Sequence, residues 1–423
     1  MVDEDQRRTQ ISADWVLKRI QGGKRVRLNN AVVVGDLELC RLNLPKRHVG
    51  RTEIQKQLGL KENIIIVRSA ISITNSTIQG RLNFSDSVFI NNNGIWFSGT
   101  TFINSAWFDG AFFDNGGFFE RAIFSSGAGF NHATFSFNAE FAGATFCKVA
   151  RFIYASFDAI ANFPGVRFNT VPGFTGATFK RDAWFNGTTF SDDAWFGISN
   201  FKEAAEFYGV NFNGDASFDK AIFDGIAEFY GAAFGKNVDF QGAEFKGDFV
   251  TFRDALFKDA KSQEEACRRA KNVLERNGNR DEAGYYFYRE MEAKRKQNGI
   301  VLPIDFTRLS LADIYRLIKY NLFEYLLFQN LFGGYDVYPF WIIIWWLVVA
   351  FGFALFYWYF QGIEGASCLS QCINFSFLVA FTRGFGEFGP KQGFFEMAIE
   401  TEIVFGLIMF GAFIASITRK YMR

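Results

Sequence analysis

The sequence predicts a repeat solenoid joined, through a charged helical segment, to a membrane-embedded helical domain. Phenylalanine supplies the first reason: from Phe97 to Phe245 it recurs in alternating steps of 5 and 6, with 28 hits and no miss. The position two residues before each ring supplies the second. Between 106 and 243 there are 26 such positions; 19 are Ala and the rest Gly, Ser, Thr, Val or Pro. The third is a run of 27 uncharged residues, 337–363, crowded with Trp and Phe. That is long enough for a tilted membrane-spanning helix.

Composition narrows the function classes. The 423 residues carry 45 Lys+Arg against 44 Asp+Glu, a net charge of +1. No global field calls for nucleic acid or an acidic substrate. The 2 histidines, His48 and His132, are far apart in sequence and make a poor metal or acid–base set. Cys40, Cys147 and Cys267 are far apart and read as buried thiols, and the absence of any C-x-x-C leaves no zinc or redox motif. With no nucleophile–base pair and no phosphate loop, the chain is not expected to be an enzyme, and no cofactor or metal is expected. The charged N-terminus has no apolar leader, so residues 1–300 are expected in the cytoplasm.

Along the chain, residues 12–21 predict a short helix with Ser12 as N-cap and Gly22-Gly23 as stop. This 1–24 segment should cover the open end of the solenoid, where strand edges and a Phe-lined core would otherwise meet water. Residues 25–96 show weaker coils around Val32-Val33-Val34, Ile64-Ile65-Ile66 and Leu82-Asn83-Phe84, interrupted by an insertion ending at Gly59–Asn63. From 97 to 257 a period of 11, split 5+6, fits neither a strand of period 2 nor a long helix studded with Gly. Short straight sides that each send one ring inward, with a small residue beside it, fit better. The repeating units, such as Ala144-Thr145-Phe146, Ala177-Thr178-Phe179 and Ala243-Glu244-Phe245, resemble the pentapeptide-repeat family, whose unit reads Ala-x-(Leu/Phe)-x-x. That resemblance implies a right-handed quadrilateral β-solenoid over 25–257, with four units per coil and roughly seven coils in 97–257. The extra residue in every second unit implies wider corners on two of the four sides. Residues 97–257 hold 18 acidic and 11 basic side chains, too mild an excess to suggest mimicry of DNA.

Beyond 257 the Phe rule stops. Residues 262–276 and 281–297 predict a charged helical hairpin acting as a linker within 258–300, and 301–336 an amphipathic helix lying on a membrane surface. Within 337–423 the expected elements are a first span 337–361, a short helix 369–381, a loop 382–387 and a second span 393–418. The basic end Arg419-Lys420 places the C-terminus in the cytoplasm with the N-terminus, so the middle segment must enter and leave on one side. The second span must begin among Glu396, Glu400 and Glu402, carboxylates tolerable at that depth if they line a wet vestibule.

The short helix followed by Thr382-Arg383-Gly384-Phe385-Gly386-Glu387 resembles the pore helix and selectivity filter of tetrameric potassium channels, whose signature is Thr-Val-Gly-(Tyr/Phe)-Gly-Asp. The resemblance covers 337–423. It implies backbone carbonyls aimed at a permeant ion, Thr382 adding its hydroxyl, a gating hinge at Gly406, and a homotetramer in the cell membrane. Three departures stand out: Arg383 for Val, Phe381 for the extra Thr that often precedes the filter, and Asn374-Phe375 where bracing aromatics are usual. Arg383 either pairs with Glu387 behind the filter or faces the lumen, where it would make the pore nonselective or anion-conducting. Cys368 and Cys372 stand before the short helix, either bridged or as free thiols one turn apart. The expected function is a channel for monovalent cations, potassium among them, whose solenoid meets an unknown ligand or protein; the alternative is a non-conducting membrane-anchored scaffold.

Overall fold

The computed structural model describes residues 8–57, 59–90, 94–298, 339–382, 388–391 and 393–421, with Tyr315 and Lys319. It divides into two compact units, Met1–Asn277 and Gly278–Arg423. The expected surface helix, 301–336, lies outside the described residues apart from those two.

The first unit is a β-solenoid. Among the described residues, four ladders of 11, 10, 10 and 9 short strands run along its sides. Successive coils pair in parallel at an offset of 22 residues, as in Ala139↔Ala161 and Phe135↔Phe157. Four Phe columns fill the interior, one behind each ladder. Down a column the rings lie almost parallel, 4.9 Å apart at 1° for Phe130–Phe152. Between two of the columns they meet edge to face, 5.4 Å and 89° for Phe130–Phe141. Both geometries are favoured by the ring quadrupole. The small residue two before each ring is itself buried, as at Ala128, Ala139 and Ala150, in a space between the columns that takes a methyl at most coils and a valine at Val166 and Val210.

The 5+6 alternation has a local cause. Each five-residue step closes a tight turn in which the ring's carbonyl accepts the amide three residues on, as in Thr100 N to Phe97 O at 3.0 Å. The third turn residue is left-handed: Gly99 has φ +67° and Gly110 +66°. Six-residue steps make the wider bends and lack this bond, apart from Phe113–Phe119, where Gly116 N reaches Phe113 O at 3.3 Å. Glycine suits the tight turn, yet Arg121, His132, Tyr154, Ile198 and Lys220 also hold it at φ 49–54°.

Irregular coils sit at both ends. Strand Thr9–Ser12 pairs with Ala31–Val34, so the ladder begins before the helix α1, Ala13–Gln21, which is N-capped by Ser12 Oγ on Trp15 N at 3.2 Å. Helix α1 buries Val16, Leu17 and Ile20 over the first coil. Residues Leu28 and Ile73 pair across 45 residues, where the regular offset is 22, because the insertion lies in that coil. It includes the short helix α2, Glu53–Gln57. The insertion is pinned by Arg51, whose guanidinium donates to Gly110 O (3.1 Å) and lies 3.7 Å from the Asp86 carboxylate. Burial is the main reason that the Asp86 carboxyl sits above its ordinary range.

At the other end the register stretches to 23 residues, Phe234↔Phe257, absorbing the slip in the Phe rule. Helix α3, Ala260–Arg276, then closes the solenoid; it buries Ala266, Cys267, Ala270 and Leu274. Of the three thiols expected to be buried only Cys267 is: Cys147, next to the inward Phe146, is half-buried and Cys40 is exposed, which corrects that expectation. Its Arg269 and Arg276 donate to the open carbonyls of Ala243 (2.9 Å) and Gly247 (3.0 Å). This corrects the reading of 262–276 as linker: the helix is part of the solenoid unit, because the last coil's edge must be satisfied. Helix α4, Arg280–Asn298, begins the second unit and buries a stripe of Ala283, Tyr286, Glu290 and Ala293.

Two outcomes are expected. Phe163→Ala, which empties a fully buried ring site, should cost about 3–5 kcal/mol in chemical denaturation, and Phe163→Leu less than half of that. His132 is buried beside Arg51, and burial first and then that cation hold its imidazole below the ordinary value of 6.5. Its contribution is therefore full above pH 6.5 and lost as pH falls toward the lower folded pKa. His132→Asn, which also tolerates the left-handed turn, should remove that acid-side loss, read as the difference between wild-type and variant melting curves.

Candidate functional site

The second unit brings three helices together. Helix α5, Pro339–Phe360, opens on a Pro whose missing amide costs nothing at a first turn. Helix α6, Leu369–Thr382, is initiated by Gln371, whose Oε1 accepts from the amides of Ser367 (2.8 Å) and Cys368 (3.2 Å). Helix α7 spans Phe394–Tyr421. Helices α5 and α7 are long and apolar enough to cross a membrane, over Ile342–Phe360 and Phe394–Thr418; α6 is too short.

Helix α6 runs back along α5. Phe375 meets Tyr357 edge-on at 5.7 Å, Ser376 Oγ donates to Ala350 O at 2.6 Å, and Phe381 stacks on Trp346 at 4.1 Å. The two ends of the α6 segment are tied at one place: Ile363–Glu364 pairs antiparallel with Gly389–Pro390, and Lys391 N donates to Gly362 O at 3.0 Å. The chain thus leaves α5, descends through α6, and returns to the level where α7 begins.

Glu402 is the hub of the three helices. It is 1% exposed. One oxygen accepts the Tyr357 hydroxyl of α5 at 2.8 Å, and the other accepts Ser376 Oγ of α6. The single Ser376 hydrogen is shared between this carboxyl and the Ala350 carbonyl. A buried carboxyl needs such partners. Four residues beyond, Gly406 lies against α6: a Cβ there would stand 2.4 Å from the Ala380 carbonyl oxygen. Its lack of a side chain sets the approach of α7 to α6.

The expected site residues therefore divide. Glu396 and Glu400, four apart, are exposed. Glu402, two further, points the other way into the unit, which corrects its assignment to an outer vestibule; a helix turns about 200° in two residues. Cys368 and Cys372 are free thiols, the first exposed and 3.0 Å from Ser370 Oγ, the second buried, so the bridged alternative is not realised. Thr382 ends α6; Arg383, Gly384, Phe385, Gly386 and Glu387 lie outside the described residues. Tyr357, Ser376 and Ala350 had no assigned role in the sequence. Their signal was indirect: one carboxylate within an apolar stretch must find polar partners. Among the described residues, no group of three His, Cys, Asp or Glu side chains is placed to hold a metal.

Comparison with known proteins bears on the first unit. The family model described as pentapeptide repeats (9 copies) matches residues 152–197, 174–222, 199–244 and 218–261. No curated protein and no solved structure matches the chain. The chain thus combines a pentapeptide-repeat β-solenoid with a helical unit holding two helices of membrane-spanning length.

Glu402→Ala leaves the buried Tyr357 hydroxyl without its acceptor and Ser376 with the Ala350 carbonyl alone, and should lower the stability of the purified protein by about 2 kcal/mol. Glu402→Gln, whose amide can still bond to both, should lose less than half as much. Thermal unfolding in one detergent compares them. Gly406→Leu should be worse than either, since it must push α7 from α6.

Proposed function

We propose that the chain is one subunit of a homotetrameric membrane channel for monovalent cations, with the solenoid as a cytoplasmic regulatory domain. The observation that carries this reading is α6: an apolar helix too short to span, lying between two helices that are long enough, with both its ends tied by the Ile363–Glu364 and Gly389–Pro390 ladder. A segment that enters and leaves at one level is what a pore loop requires. Most of the apolar surface of α5 and α7 is left uncovered, including Phe340, Val348, Phe351, Val404 and Phe410, as suits contact with lipid or neighbouring subunits.

Thr382 to Glu387 are read as the filter, carrying forward their resemblance to Thr-x-Gly-Phe-Gly-acidic. Seven residue steps separate Thr382 from Gly389 and reach about 24 Å at most, and α6 rises about 20 Å, so the chain length suffices for the return. One subunit does not enclose a filter, so several copies are needed, and the resemblance to tetrameric channels sets the number at four. Gly406 then serves twice. It is the point at which α7 can bend, and it touches the base of α6, so bending there changes the support of the filter. The network at Glu402 holds α6 to both spans and keeps that support rigid.

Bilayer recording of the purified protein tests the reading. Under a tenfold potassium gradient the reversal potential should follow potassium by up to about 59 mV, and cross-linking in detergent should stop at four chains. A reversal potential that follows chloride, or none that separates potassium from chloride, would place Arg383 in the lumen and overturn cation selectivity. Absence of flux from a confirmed tetramer in liposomes would leave a membrane-anchored scaffold instead.

A further inference from the structure

The solenoid carries a second candidate site, independent of the pore reading. On one of its sides the outward positions of successive coils align in a row: Arg27 beside Ser72, Ser72 beside Trp96, Trp96 beside Phe118, and Phe118 beside Glu140. The Trp96 and Phe118 rings stack 3.9 Å apart at 11°, so their planes lie across the row. Gly94 and Gly116, at φ +67° and +91°, make room for this: a Cβ on Gly94 would come 2.9 Å from the Phe118 ring. The next place in the row is Ser72, one hydroxymethyl in a line of large side chains, and beyond it is Arg27.

That sequence of sizes makes a slot. Arg27 and Trp96 stand two strand spacings apart, about 9.6 Å. A flat ring in contact on both faces needs about 7–8 Å. The cavity there is ≈ 600 Å³ and is lined by Arg25, Arg27, Ser72, Trp96 and Phe118, with Phe137 at its edge. This is within the range of small-molecule sites.

The charge is one-sided. Among the described residues, neither Arg25 nor Arg27 has an ion pair and no carboxylate lines the cavity. The Arg25 backbone is held in place, since its carbonyl accepts Arg19 Nη2 at 2.7 Å. Residues 25–96 hold 10 Lys+Arg against 5 Asp+Glu, whereas 97–257 are acidic in balance, 11 against 18. An aromatic face beside two guanidinium groups fits a planar ring that carries an anion.

We propose that this slot binds a nucleoside monophosphate, its base against Trp96 over Ser72 and its phosphate on Arg25 and Arg27. The indole face matches a two-ring base, and a guanidinium pair matches a phosphate. Titration calorimetry on the full-length protein in detergent, with AMP, adenosine and inorganic phosphate as probes, tests this. AMP should bind with a sub-millimolar Kd and adenosine at least about tenfold more weakly. Ser72→Trp should weaken AMP at least about tenfold, because the new indole continues the aromatic ladder into the slot. Arg27→Glu should do the same by charge. Both positions face outward, so melting temperatures should not move. Three results would overturn the proposal: no saturable AMP binding, AMP binding unchanged by both variants, or phosphate binding as tightly as AMP, which would mean a basic patch alone.

Discussion

Strands in a ladder lie about 4.8 Å apart, and from Phe102 onward the phenyl rings within a column of this solenoid stack 4.5 Å (Phe113–Phe135) to 5.2 Å (Phe135–Phe157) apart, against 5.7 Å for Phe97–Phe119 where the columns begin. The backbone spacing and the ring spacing agree, and the rest of the first unit depends on that agreement. A ring at every corner position can stack on the ring of the coil below without tilting the strands or straining a rotamer. Aliphatic side chains fill the same volume but do not impose parallel planes. The Ala beside each ring follows from it, since four columns of rings leave room for a methyl group and little more. So does the 22-residue coil: four rings, two tight turns and two wider bends.

A stack of this kind has no natural end, and the chain spends its irregular segments on stopping it. Helix α1 covers the first coil and helix α3 the last. Arg269 and Arg276 satisfy carbonyls that a further coil would otherwise have bonded. The insertion in an early coil is held by Arg51, buried against Phe112 and Asp86. Breaking the repeat also breaks the row of large side chains on one outer face, and the Ser72 slot lies where that happens.

The second unit is organised by the opposite constraint. The outer surfaces of α5 and α7 are apolar, so the carboxyl buried among α5, α6 and α7 has to be answered by side chains from the other two helices. Tyr357, Ser376 and Glu402 come from α5, α6 and α7 respectively. Directional bonds of this kind fix the height of α6 against the longer helices, which apolar contact alone would leave free to slide. Gly406 and Ala380 add a steric stop at the lower end. In the channel reading, these two contacts are what hold a pore loop at a defined depth.

The two units differ in how far they could be read beforehand. In the solenoid the ring columns, the small partners, the wider bends and the capping helix α1 were legible, because each rests on an interaction between residues at a fixed, repeating offset. The role of α3 was not: its alternating charges look the same on a linker as on a cap, and only the last coil's open edge distinguishes them. In the helical unit, the lengths of α5, α6 and α7 were legible from uncharged runs and from the residues at their ends. The place of Glu402 was misread, since proximity to Glu396 and Glu400 in sequence says nothing about which side of a helix meets a neighbour. By itself the sequence determined where the chain turns, what each turn buries and which segments are apolar enough to enter a membrane. The tertiary structure alone decided that Glu402 finds Tyr357 45 residues away and Ser376 26 residues away, and that Arg27 and Trp96 flank Ser72. Those separations belong to no period, so they are set by how whole elements pack and not by any local pattern.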